Sequence, residues 1–124
     1  MLVDTSAWVE YFKGTAKGEK VKYLMKTKEQ LFTNPLTIAE LTQWADKNAL
    51  DAKSMLAFVY ENSELLELST NILEIAGKRY NVLRLVKKKI GMIDVIIYIS
   101  AVTYSFSLLT GDTDFAGLPY VEML

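Results

Sequence analysis

The sequence predicts an α/β fold: three α/β/α layers around a central parallel sheet of four to five short strands. Two observations carry this. Short apolar runs alternate with stretches of helical periodicity along the chain, the pattern of strands joined by helical crossovers. The composition, 51% apolar and 23% charged, suits a sheet buried on both faces and argues against disorder. The 124 residues read as one domain, with no repeat, linker or low-complexity segment.

"MLV" reads as the first strand and ends at Asp4. "DTS" offers helix N-cap residues, and a helix follows over about Ala7 to Lys13. Gly14 and Gly18 bracket a turn, and Val21, Leu24 and Met25 give the next helix one apolar face. "LFTNP" is the second strand, with Pro35 suited to the first turn of a helix from Leu36 to Lys47. Ile38, Leu41 and Ala45 lie at helical spacing there. The next helix covers Asp51 to Asn62, and "LLELS" (65–69) is a third strand. Thr70 and Asn71 cap a helix carrying Ile72, Ile75 and Ala76, whose rhythm continues through Val82, Leu83 and Val86. From Ile90 to Gly111 the only charge is Asp94, a run long enough to span a bilayer. Ser100, Thr103, Ser105 and Ser107 interrupt it, so it reads as a buried helix ending near Tyr104 and a strand from Ser107 to Thr110. "YVEML" is the last strand.

The chain has no cysteine and no histidine. That removes disulfides, cysteine zinc sites, thiol nucleophiles, Ser-His-Asp triads and HExxH motifs. Catalysis would rest on carboxylates, Lys, Tyr, Ser/Thr or a bound metal. No basic-then-apolar leader opens the chain, so a cytoplasmic location is expected. The net charge of −1 does not announce a nucleic-acid binder, and where the charges lie matters more.

Five acids do not read as solvated surface: Asp4, Glu40, Asp94, Asp112 and Asp114. Asp4 follows an apolar strand, where it is a helix N-cap or a site residue. Glu40 has Leu36, Thr37, Gln43 and Trp44 as helical neighbours, at the edge of the buried stripe. Asp94 opens the most apolar helix, as a first-turn acid facing the helix dipole or as a ligand. Asp112 and Asp114 form a turn or a cation site. Two carboxylates about 4 Å apart repel by roughly 4 kcal/mol at an effective dielectric near 20, and a divalent cation reverses that sign. In a parallel sheet, ligands bind beyond the strands' carboxyl ends, where Asp4 and Asp112 fall. Oxygen-only ligands select a hard cation, Mg²⁺ or Mn²⁺.

Four stretches in order resemble the PIN domain family, and within it small VapC-like toxins. They are "MLVDTSAWVEYF", "NPLTIAEL", "IGMIDVIIYISA" and "LLTGDTDF", which together span nearly the whole chain. The resemblance implies a PIN-like fold and a Mg²⁺- or Mn²⁺-dependent endoribonuclease. Asp4, Glu40, Asp94 and Asp112 would hold the metal and carry catalysis, with Asp114 supporting the site or binding a second ion. Thr5, Ser6 and Thr110 would orient the carboxylates by hydrogen bonds. The substrate would be RNA (tRNA, rRNA or mRNA). The resemblance also implies an antitoxin partner and a homodimer, and no membrane role. The third stretch departs from the family in carrying Ile97 and Tyr98 where small residues are common, so Tyr98 is expected to narrow the cleft.

"RLVKKK" is the one dense basic run. Lys87, Lys88 and Lys89 read as a solvated helix end or as RNA phosphate contacts. A response-regulator receiver would need an acidic pair after the first strand and a lysine after the last. A haloacid-dehalogenase-type phosphatase would need Asp-x-Asp in place of "DTSAW". Neither pattern is present. The remaining rival is a catalytically silent PIN-like module that binds RNA or protein.

Overall fold

The computed structural model describes residues 1–124. Five parallel strands form one sheet in the order β3-β2-β1-β4-β5. They are β1 (Leu2–Val3), β2 (Phe32–Thr33), β3 (Glu64–Leu65), β4 (Leu108–Thr110) and β5 (Val121–Met123). Six helices connect or flank them: α1 (Thr5–Lys13), α2 (Glu19–Met25), α3 (Pro35–Lys47), α4 (Ala52–Asn62), α5 (Thr70–Val86) and α6 (Met92–Thr103). From β1 the sheet grows to one side through β2 and β3, and to the other through β4 and β5. The gap between β1 and β4 is therefore the point where the winding reverses, the place such sheets offer to ligands.

Alternation along the strands divides the interior into two cores. Leu2 and Leu108 face a core built with α5 and α6, together with Leu66, Ile90, Val95, Ile97, Ile99 and Phe115. Val3 and Leu109 face the opposite core, with Ala7, Trp8, Val21, Leu41 and Val59. So α1–α4 cover one face and α5–α6 the other. Trp8 is fully buried, and its Nε1 donates to Thr33 Oγ1 at 3.1 Å.

Several details differ from the sequence reading. The third strand is Glu64–Leu65, both exposed, because its partner β2 is only two residues long and pairing ends with the bond from Leu66 N to Thr33 O. Ser69, not Thr70 or Asn71, caps α5, accepting from Ile72 N at 3.3 Å. α5 then continues unbroken for 17 residues. The first helix starts at Thr5 without a side-chain cap. The apolar run after Ile90 divides into α6 and β4, and no helix is long and apolar enough to cross a membrane. A 3-10 turn, Thr113–Phe115, replaces a helical crossover between β4 and β5.

Candidate functional site

Asp4 ends β1 beside β4, where its backbone N–H donates to Leu109 O at 2.9 Å. Its side chain does not cap α1. Instead Oδ2 accepts from Ser6 Oγ at 2.7 Å and Thr110 Oγ1 at 2.8 Å. Those hydroxyls in turn accept the backbone N–H groups of Gly111 and Asp112, at 2.9 and 3.0 Å. A hydroxyl has one proton, and both are spent on Asp4, so the loop after β4 is tied to the carboxylate through two relays. Asp4 is only 4% exposed. Burial raises its carboxyl above the usual aspartate range, against the pull of the Ser6, Thr110 and Thr5 N–H hydrogen bonds, and the charge of Asp112 adds to the rise.

Glu40 reaches the same region from α3. Its Oε1 accepts from Thr5 Oγ1 at 2.6 Å. The same Thr5 hydroxyl lies 3.0 Å from Thr37 Oγ1, so its one proton has two acceptors, of which the charged and closer Glu40 is the stronger. Burial raises the Glu40 carboxyl despite the Thr5 bond, with Asp4 and Asp94 adding repulsion. Asp94 comes from the opposite layer, in the first turn of α6, where its Oδ2 accepts from Gly91 N at 2.9 Å. Burial raises it too; the Gly91 bond lowers it, and Asp112, Asp4 and Asp114 repel it. Asp112 forms the turn its sequence suggested, accepting Asp114 N on Oδ1 at 2.9 Å and opening the 3-10 turn.

Asp94 thus lies within electrostatic reach of all four other acids, and Asp4 also of Glu40 and Asp112. None forms an ion pair: the salt bridges of the chain are Met1–Glu29, Lys13–Glu10 and Lys20–Glu122. In Asp4, Glu40, Asp94 and Asp112 one oxygen is held by the protein and the other has no side-chain hydrogen bond. No three acidic side chains converge to metal-ligand spacing. The donor set still fits Mg²⁺ or Mn²⁺, because every donor is oxygen and Mg²⁺ takes only one or two carboxylates directly while keeping several waters. The largest cleft, about 390 Å³, lies at the other end of the strands beside Met1, Phe32 and Phe106. The acidic site is therefore defined by its chemistry, not by concavity.

Other candidates fall elsewhere. Tyr98 is 3% exposed within the α5–α6 core, and the charges acting on its hydroxyl are Arg79 and Tyr120, so it does not crowd the acidic site as the sequence suggested. Lys87, Lys88 and Lys89 follow the end of α5, with Lys88 and Lys89 exposed, just before the helix that bears Asp94. Arg84 braces that loop through Lys88 O at 2.8 Å.

Three polar residues near the site were given no site role in the sequence reading: Asn34, Thr37 and Ser100, all fully buried. The available signals were Asn34 at the cap position before Pro35, and a lone hydroxyl at Ser100 in the most apolar helix.

A parallel α/β sheet with unpaired carboxylates gathered at its winding reversal defines an α/β domain with an acidic site at its switch point. The chain belongs to the PIN domain family, whose model matches residues 1–119. Comparison with curated protein sequences gives no match. Among solved structures, a toxin–antitoxin complex from Klebsiella pneumoniae is similar at 26% identity and TM-score 0.71, over 98% of this chain and 94% of that one. VapBC2 from Rickettsia felis, bound to a DNA fragment from its promoter, is similar at 19% identity and TM-score 0.75, over 99% and 96%. VapC20 from Mycobacterium tuberculosis, a toxin that cleaves the sarcin-ricin loop, is similar at 18% identity and TM-score 0.75, over 98% and 96%. The fold of this chain is that of the VapC toxins.

Proposed function

We propose that this chain is a Mg²⁺- or Mn²⁺-dependent endoribonuclease and the toxin of a toxin–antitoxin pair. The observation that carries this reading is the set of five acids without basic partners, gathered beyond β1 and β4 in a PIN domain. Such repulsion destabilises a fold unless a cation or its substrate complex uses it. The VapC20 similarity supports RNA as substrate, and the complexes from Klebsiella pneumoniae and Rickettsia felis support an antitoxin partner.

Asp4, Glu40, Asp94 and Asp112 would hold the ion, directly or through water, and Asp114 would support the site or take a second ion. A bound divalent ion acidifies water and stabilises charge on a phosphodiester. The chain's own contribution is orientation. Ser6 and Thr110 fix one oxygen of Asp4 and Thr5 fixes one of Glu40, leaving the other oxygens for the ion. Lys87, Lys88 and Lys89 would contact RNA phosphates beside Asp94. A homodimer and a cytoplasmic site of action complete the reading.

Mn²⁺ titration followed by electron paramagnetic resonance tests it. The wild type should take up the ion and Asp94→Asn should lose most of that uptake. Absence of uptake by folded wild-type protein would overturn the proposal in favour of a silent binding module.

A further inference from the structure

Glu40 and Asp94 sit on opposite layers of the fold. The helix bearing Glu40 packs with α1 and α4, and the helix bearing Asp94 packs with α5. Something has to set the gap between them. One side-chain hydrogen bond crosses from the start of α3 to α6: Asn34 Nδ2 donates to Ser100 Oγ at 2.9 Å. Alternation explains its direction. Phe32 faces the α5–α6 core and Thr33 bonds Trp8 in the other, so Asn34 points back towards α6.

Both ends of this bridge are anchored. Asn34 Oδ1 accepts Leu36 N at 2.9 Å and so caps α3, six residues before Glu40. Ser100 Oγ donates to Ile96 O at 2.7 Å within α6, six residues after Asp94. Asn34 and Ser100 are both fully buried. Water therefore does not compete for the bond, and breaking it leaves a buried amide without its partner.

We infer that Asn34 and Ser100 are positioning residues that hold the Glu40-bearing and Asp94-bearing layers at the separation the divalent-ion site needs. The inference rests on the proposed metal-dependent function. It predicts that loss of the tie weakens ion binding without changing any carboxylate. Partners that orient metal ligands carry about tenfold or more in affinity.

The test uses the full chain. Its lack of cysteine lets Gln43→Cys on α3 and Thr103→Cys on α6 carry a spin-label pair for distance measurement. Ser100→Ala should broaden the α3–α6 distance distribution and weaken Mn²⁺ binding about tenfold. Ser100→Thr, which keeps the hydroxyl, should restore both. If Ser100→Ala does not fold, Asn34→Ser serves instead, since its hydroxyl can still cap α3 but cannot reach Ser100. Unchanged distance and Mn²⁺ affinity in a folded variant would overturn the inference while leaving the nuclease reading intact. A broadened distance in a protein whose wild type binds no Mn²⁺ would support the tie and remove the nuclease reading. A lower melting temperature with both readouts unchanged would make the pair structural only and overturn the inference.

Discussion

Replacing Asp4 with asparagine should make the protein more stable in the absence of metal. Asp4 is 4% exposed, and burial outweighs three hydrogen bonds to its ionised form. Asparagine keeps an acceptor for Ser6 and Thr110 and removes the buried charge. Desolvation costs several kcal/mol per buried ion, and charge-assisted bonds return about 1.5–3 kcal/mol each. Since burial outweighs those bonds at Asp4, the variant should gain stability at neutral pH, by about 1–2 kcal/mol, the usual size for a stabilising single substitution. For a chain of this length the unfolding entropy is roughly 0.26 kcal/mol per kelvin, so the melting temperature should rise by about 4–8 °C. The pH dependence follows from the sign of the shift. With its folded value raised, Asp4 binds its proton more tightly in the native state. Its stabilising contribution is complete below the ordinary value of 3.8 and is lost as pH rises through the folded value. The advantage of Asp4→Asn should therefore vanish below about pH 4 and grow towards neutrality. Calorimetry in EDTA across that range measures it. Adding Mg²⁺ should then stabilise the wild type, by about 2.7 kcal/mol at a hundredfold excess over Kd, and leave the variant nearly unmoved. A variant that melts lower than the wild type in EDTA at pH 7 would refute the reasoning.

Tyr98→Phe should leave cleavage within about twofold of wild type, since its ring lies in the α5–α6 core; a loss beyond tenfold would return Tyr98 to the cleft. Replacing Lys87, Lys88 and Lys89 together with alanine should weaken RNA binding and lower the salt slope by about 2 if each contacts one phosphate of a single strand. An unchanged slope would assign the run to solvent. Gly18→Ala should cost about 1–3 kcal/mol, read as a lowered denaturation midpoint, because its Cβ would press on the Glu10 carbonyl and come within 2.8 Å of Tyr11 Cα. That close approach holds α2 against α1.

What was legible in the sequence, and what was not, divides by the range of the interactions involved. Buried parallel strands appear as short apolar runs, so β1, β2 and β4 stood out, as did the amphipathic stripes of α3 and α4. The edge strand β3 was misplaced because its residues are exposed and its extent depends on the length of β2. The start of α5 was misassigned because Ser69, Thr70 and Asn71 are all competent caps, and only the geometry selects Ser69. The five acids were legible because a carboxylate beside an apolar run is an anomaly. Their supports were partly so: Thr5, Ser6 and Thr110 stand next to strand ends, whereas the bond from Asn34 to Ser100 joins residues 66 positions apart. Tyr98 was placed in the cleft because it follows Asp94 by one helical turn, yet the wider apolar face of α6 carries it into the core.

Cleavage of a mixed tRNA and rRNA pool by purified protein tests the central claim most directly, with Mg²⁺, Mn²⁺ or EDTA and with Asp94→Asn alongside. The account predicts endonucleolytic fragments that require the metal and disappear in EDTA and in the variant. Cleavage that persists in EDTA, or is undiminished in folded Asp94→Asn, would contradict it.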